Sequence, residues 1–517
     1  MFASVRTGGI HGMESYVAQV EVDTSPGMPG FDMVGMLSVE TREARERVRV
    51  ALKNSDMKLP PVHVTVNISP ADVRKEGSAY DLPIAVATLV SLGYIPQEYV
   101  QDILFIGELG LNGEIKPVKG VLPIVSKASK EGIKICILPK ENALEGAVIQ
   151  GIQIIGFHTF VQLVEYLNAS ETEKSTIAVP EQIDVSKLFD DNTDNEQLDF
   201  KDINGQETVK RAACVAAAGF HHLLISGPPG CGKTMIAKRL PAILPPLSWE
   251  ESMEVTTIYS ISGMLPKGQP LITKRPFLNP HHTISEQALA GGGRIPSPGI
   301  LSLSHRGILF LDELPEFSRS TIEVMRQPLE DKKVCIARTL ANYTYPADFI
   351  LVAAMNPCPC GYYPDRNRCK CSANEIRKYK NRISGPILDR IDICTQAPAI
   401  DITELEKNIK NESSEEIREK VMIARKMQKR RFEGTNLRFN ADMGPKEVKK
   451  YCALSLEEQR YMEQVFHMMK LSARAYHRIL KVARTIADLD GEEKIGKRHL
   501  NEAVCYRLGE EEESAWD

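Results

Sequence analysis

Gly227-Pro-Pro-Gly-Cys-Gly-Lys-Thr234 stands between an apolar run, His222–Ser226 (HLLIS), and a helical pattern, Met235–Leu240 (MIAKRL). Strand, glycine-rich turn and helix in that order is the setting in which this pattern holds phosphates. Gly227, Gly230 and Gly232 let the backbone curl so that its N–H groups face an anion. Lys233 is placed to neutralise the β and γ phosphates, and the Thr234 hydroxyl to ligate magnesium. The whole octapeptide, Gly227, Pro228, Pro229, Gly230, Cys231, Gly232, Lys233 and Thr234, is the expected nucleotide cradle. A chance glycine-rich turn is the rival reading, and the flanking strand and helix weigh against it.

The second half of such a site follows 78 residues after Thr234. Gly307-Ile-Leu-Phe-Leu-Asp-Glu313 reads as a buried strand that delivers two carboxylates at its C-terminal end, where α/β sheets bind ligands. Asp312 is expected to hold the magnesium and Glu313 to polarise the attacking water. A third apolar strand, Phe349–Met355, ends in Asn356, whose amide can orient that water; a turn-forming Asn before Pro357 is the plainer alternative. Together these motifs predict ATP hydrolysis.

The surrounding chain fits a multidomain protein. Its 517 residues exceed one hydrophobic core and suggest about three domains. Hydrophobic residues at 43% and charged residues at 26% are ordinary for a globular protein. A net charge of −4 excludes a basic footprint over the whole surface, so nucleic-acid contacts must be local. No run nears the roughly 18 apolar residues of a membrane span. The start, MFASVRTGGIHG, has no apolar core of a signal peptide, so no membrane contact and a cytoplasmic location are expected.

Residues 1–167 mix strand and helix signals. Val62, Val64, Val66 and Ile68 alternate with polar residues, Leu82–Leu92 is an apolar helix, and Gly132–Pro139 a buried strand. Residues 168–200 read as an acidic, solvated linker. From 201 to 400 apolar strands alternate with helices, which predicts a parallel α/β sheet. Residues 401–517 carry apolar residues at helical spacing, such as Tyr476, Ile479, Leu480 and Ala483, and predict an all-helical domain.

Cys358, Cys360, Cys369 and Cys371 form a C-x-C…C-x-C set on a loop rich in Gly, Pro and Asn. Four thiolates in fourteen residues can close a tetrahedral structural zinc site, although the one-residue spacing is tighter than usual. A reduced cysteine-rich loop without metal is the alternative.

The motifs GPPGCGKT, RPFLNPHHTISEQALAGGG (275–293), GILFLDELPEF, AAMNPCPCG, SGPILDRIDI (384–393) and SARAYHRILKVARTIADL (472–489) resemble the magnesium-chelatase-like AAA+ ATPases called YifB or ComM, over essentially the whole chain. The resemblance implies an α/β fold: a P-loop AAA+ core of parallel sheet, an α+β Lon-protease-like N-terminal domain and a helical C-terminal lid. It makes Asn356 sensor 1. Arg390 becomes an arginine finger acting on a neighbouring subunit, hence a homo-hexameric ring, and Arg474 a sensor 2 reaching the γ phosphate from the lid. Read as isolated residues, Arg390 could instead pair with Asp389 or Asp392, and Arg474 could be a surface charge.

The same resemblance implies a DNA-remodelling motor, a helicase or branch-migration factor of homologous recombination and natural transformation. DNA would pass through a pore lined by an insertion at 255–300 and a hairpin, Lys332–Tyr345, with Lys332, Lys333 and Arg338 as its basic residues. Arg425–Arg431 (RKMQKRR) is a rival basic patch, read as the solvated face of a lid helix. Against the Lon-protease pattern, Ala79 falls at the serine position, with Ser78 one residue off, and Leu122 at the lysine position. A Ser–Lys dyad needs both groups in reach, so peptidase activity is not expected. A chelatase-type motor and a protein-remodelling ATPase remain alternatives.

Overall fold

A computed structural model of the protein describes residues 1–190, 198–293, 296–338, 342–399 and 411–511. The chain forms two compact units. One comprises Met1–Asn192, Trp249–Thr273 and Ala337–Thr344; the other comprises Thr193–Ser248, Lys274–Ile336 and Tyr345–Asp517. Trp249–Thr273 and Ala337–Thr344, expected inside the ATPase domain by sequence position, thus have their contacts in the first unit.

The first unit is built on a seven-stranded mixed sheet. Its strands lie in the order Gly30–Val34, Val62–Ser69, Glu14–Pro26, Phe2–His11, Ile103–Phe105, Ile135–Pro139, Gln153–Phe157. The alternation in 62–69 is realised, with Val64, Val66 and Ile68 buried and the residues between them half-buried. The apolar helix Asp81–Ser91 is buried at every position. A helix apolar all round belongs inside a core. Its first residue, Asp81, is buried as well, and Arg47 donates to both of its carboxylate oxygens, at 2.6 and 2.9 Å.

The acidic stretch is more structured than its composition suggests. Helices span Glu171–Ile177 and Val185–Asp190. Ile183, Val185, Leu188 and Phe189 pack against Leu122, Val148 and Leu271. Four apolar side chains among the acids supply the buried area that a solvated linker lacks. The rest of that stretch, 191–197, and the expected boundary at 400/401 lie outside the described residues.

The second unit contains a five-stranded parallel sheet in the order Phe277–Leu278, Ile308–Leu311, Ile350–Met355, Leu223–Ser226, Ile393–Gln396. The central strands Ile308–Leu311 and Ile350–Met355 are buried throughout, as a sheet covered on both faces requires. Helices Ser414–Arg431, Pro445–Tyr451, Leu456–Met468, Ala473–Leu489 and Lys497–Glu511 follow. They share one hydrophobic cluster with the sheet, in which Phe220 stacks on Phe439 at 4.5 Å. Among the described residues no helix is long and apolar enough to cross a membrane.

Part of the rival basic patch is consumed by this packing. Arg431 donates to both oxygens of the fully buried Asp488 (2.7 and 2.5 Å), and Arg425 lies 4.0 Å over the Phe439 ring. Lys426, Lys429 and Arg430 remain exposed.

Candidate nucleotide site

The loop 227–234 leaves the strand Leu223–Ser226 and enters the helix Lys233–Ile243. Its glycines answer two different needs. Gly230 (φ +79°) and Gly232 (φ +90°) occupy left-handed backbone with open space around them, so conformation selects glycine there. At Gly227 room decides: a Cβ would lie 2.5 Å from the Ala397 carbonyl oxygen.

The motifs that sequence spacing linked are in contact. Thr234 Oγ1 donates to Asp312 Oδ2 at 2.7 Å, which joins the two expected magnesium ligands. Lys233 Nζ donates to the carbonyls of Gly227 (2.6 Å) and Pro228 (3.0 Å) and to Asn356 Oδ1 (3.1 Å). Asn356 is therefore at the phosphate loop and not merely a turn residue. Glu313 is exposed and takes a left-handed φ of +52°, uncommon for a residue with a Cβ. Strained backbone of this kind collects at functional sites. The arrangement suits hydrolysis: a cradle of N–H groups and one ammonium for phosphate, a hydroxyl and a carboxylate for magnesium, and a free carboxylate for water.

Arg390 and Arg474 lie elsewhere. Arg390 is buried, donates to the Pro386 carbonyl at 2.7 Å and pairs with Glu330. Neither Asp389 nor Asp392 takes it; Asp392 receives Arg478 at 3.1 Å instead. Arg474, exposed on the helix Ala473–Leu489, approaches the other oxygen of Glu330 at 3.6 Å. The two arginines thus converge on one carboxylate beside a cavity of about 490 Å³ lined by Glu323, Arg326, Gln327, Glu330 and Arg390. Glu330 was not legible as a partner, because an acid on a short surface helix carries no signal of its own.

The basic hairpin needs a correction. Lys332 is not available to a phosphate backbone: its ammonium pairs with Asp442 and with Asp348 (3.3 Å). Burial opposes its charge, but the two carboxylates win and hold it above the usual lysine range. Lys333 and Arg338 are exposed at the hairpin strand Lys333–Ala337 and just beyond it. The hairpin strand Asn342–Pro346 carries Tyr343, whose ring lies 5.0 Å from that of His11.

In the first unit Ser78 donates to a carboxylate, Glu108, and not to a lysine. Leu122 is fully buried and Ala79 packs at the edge of a neighbouring apolar cluster.

The four cysteines come together. Their sulfurs all lie within 4.8 Å of one another, with Cys358 Sγ 3.3 Å from Cys360 Sγ and 3.7 Å from Cys369 Sγ. Cys358 and Cys369 are buried, and Cys360 and Cys371 are half-buried. A compact set of four thiols is the donor set of a closed zinc site.

The narrow motif 275–293 is structural around its first residues. Arg275 is buried and donates to the carbonyls of Pro245 and Arg306, each at 2.6 Å. That clamp fixes the edge strand Phe277–Leu278 on the sheet.

Three family models match in series: "Magnesium chelatase, subunit ChlI" over residues 199–405, "Subunit ChlI of Mg-chelatase" over 20–142 and "Magnesium chelatase, subunit ChlI C-terminal" over 411–507. Competence protein ComM of Haemophilus influenzae is 40% identical over 497 residues, which is 96% of this chain and 95% of that protein. An uncharacterized Escherichia coli protein, YifB, is 41% identical over 507 residues, 97% of this chain and 96% of its own. The magnesium-chelatase 38 kDa subunit of Cereibacter sphaeroides is 25% identical over only 31% of the chain. The chain belongs to the magnesium-chelatase-like YifB/ComM family of AAA+ ATPases, a family that implies ATP and magnesium as cofactors.

Proposed function

We propose that the protein is an ATP-driven motor that assembles as a homo-hexameric ring and remodels branched DNA during recombination of incoming strands. The observation that carries the ring is the pairing of Arg390 and Arg474 on Glu330, while Lys233 has Asn356 as its side-chain partner. Arg390, held on a carboxylate of its own chain, is suited to a neighbour's γ phosphate, where such a residue is worth about 10³–10⁵ in turnover, and Arg474 is the sensor 2 of the lid.

DNA as the substrate is supported by the competence protein of Haemophilus influenzae, similar across 95% of its length. Lys333 and Arg338 offer the phosphate contacts, repeated once per subunit around a channel. Six copies make a local positive field that a chain of net charge −4 otherwise lacks. The cysteine loop is assigned a structural zinc, held by Cys358, Cys360, Cys369 and Cys371.

A chelatase motor is the second reading, favoured by the descriptions of all three matching models. One of them covers 20–142, so the N-terminal region does not separate the two readings. Extent of similarity does: chelatase subunits match 31–38% of the chain, the competence protein 96%. A labelled forked DNA incubated with protein, ATP and magnesium tests the proposal. Strand exchange or separation by the wild type, absent with Glu313→Gln, is expected; ATP turnover with no change in any forked or four-way DNA contradicts it.

A further inference from the structure

The cysteine cluster adjoins the phosphate loop through the backbone. The strand Ile350–Met355 hands Asn356 to the Lys233 ammonium, and the chain runs through Pro357 directly into buried Cys358. Three residues later Gly361 takes a left-handed φ of +85°. A Cβ there would stand 2.5 and 2.7 Å from Cδ and Cγ of Pro229, inside the phosphate loop, and 3.7 Å from Cγ of Asn356. The loop that carries the four sulfurs therefore rests its bare backbone on the nucleotide cradle.

The loop is held otherwise by turn hydrogen bonds such as Cys369 N–H to the Asp365 carbonyl (2.7 Å), by Arg366 donating to the Cys371 carbonyl (3.0 Å) and by ring contacts. From Pro357 to Cys371 it is turns and bends without helix or strand. Its apolar cluster consists of Cys358, Cys369 and Ile376, with Cys360, Cys371, Tyr362 and Tyr363 at the margin. Arg368 lies over the Tyr362 ring at 4.1 Å, a contact that water weakens. Closure of four thiolates on one cation is by far the strongest constraint these residues can supply.

We propose that the four-cysteine loop, closed on zinc, braces the nucleotide site: it keeps Gly361 seated on Pro229 and Asn356 on Lys233, so nucleotide affinity depends on metal occupancy. The proposal rests on the zinc assignment above. It gives the metal a role in positioning residues that themselves never touch it, and makes Gly361 a positioning residue for the phosphate loop.

The test uses the full chain and binding of an N-methylanthraniloyl ATP with magnesium, read by fluorescence beside elemental analysis. The arms are protein as purified, protein stripped with a zinc chelator, the stripped protein reloaded with zinc, and Gly361→Ala. About one zinc per chain is expected as purified. Stripping should weaken nucleotide binding at least about tenfold, the worth of about one hydrogen bond to a charged group, and zinc should restore it. Gly361→Ala should keep its zinc yet lose affinity about as much, because its methyl group displaces Pro229. Zinc that leaves and returns with affinity constant within about twofold overturns the brace while the metal site stands. Protein that neither carries nor takes up zinc overturns both. Gly361→Ala with wild-type affinity overturns the seat on Pro229, and with it the proposed route from metal to nucleotide.

Discussion

Two polar clusters in this molecule look alike atom by atom and differ in what they can do. In the second unit Thr234 donates to Asp312 and the Lys233 ammonium rests on the carbonyls of Gly227 and Pro228. In the first unit Ser78 donates to Glu108 and the Lys75 ammonium rests on the carbonyls of Pro70 and Val73. Each holds a hydroxyl on a carboxylate and a lysine on the turn before it. The difference is in what lies beside them. Lys233 also meets Asn356, at the end of a buried strand, and two left-handed glycines open the loop around it. Lys75 is wholly enclosed, burial lowers its pKa, and Leu122 is fully buried, so no reacting group can approach. Contacts within a cluster do not make a site; an approachable place for the reacting group does.

The largest effects should fall in the second unit. Arg390→Ala should lower ATP turnover by about 10³-fold or more. Mixed with Lys233→Ala protein it should recover part of the wild-type rate, since each variant supplies what the other lacks. No recovery in rings shown to be mixed would place Arg390 in its own subunit's chemistry or in none. Glu313→Gln should cost about 10²–10⁴ in turnover with ATP binding kept, the usual worth of a general base. Near-normal turnover would remove Glu313 from that role.

Weaker effects should separate the two basic patches. Charge reversal at Lys333 and Arg338 together should weaken DNA binding and flatten its salt dependence. Reversal at Lys429 and Arg430 should leave both nearly unchanged. The opposite result would move the DNA path from the hairpin to the helix Ser414–Arg431. The smallest effect belongs to the first cluster: Ser78→Ala should leave ATP turnover within about twofold of wild type. ATP-dependent casein degradation that this substitution abolishes would make the first cluster a catalytic site after all.

The parts read correctly from sequence were those whose chemistry is local. Glycine spacing in 227–234, the apolar run before Asp312 and the strand before Asn356 each fix a short piece of backbone, and the parallel sheet brings the three pieces together. Parallel strands buried on both faces leave a strong signal, whereas long-range pairing of charges leaves none. Glu330 under two arginines, Lys332 between Asp348 and Asp442, and Glu108 under Ser78 join residues remote in sequence. The helices hidden in the acidic stretch were missed for a related reason. Net composition counted the acids, and the spacing of Ile183, Val185, Leu188 and Phe189 mattered more.

One measurement bears most directly on the central claim that nucleotide chemistry here serves DNA. The steady-state ATP turnover of the wild type should be compared without DNA, with a short single strand and with a four-way junction, at fixed salt and saturating magnesium. DNA is predicted to raise the rate several-fold, junctions included, and the Lys333/Arg338 charge reversal to suppress that rise while sparing the DNA-free rate. A rate that no DNA changes, but that an unfolded protein or a porphyrin-chelatase partner subunit raises, would contradict the account.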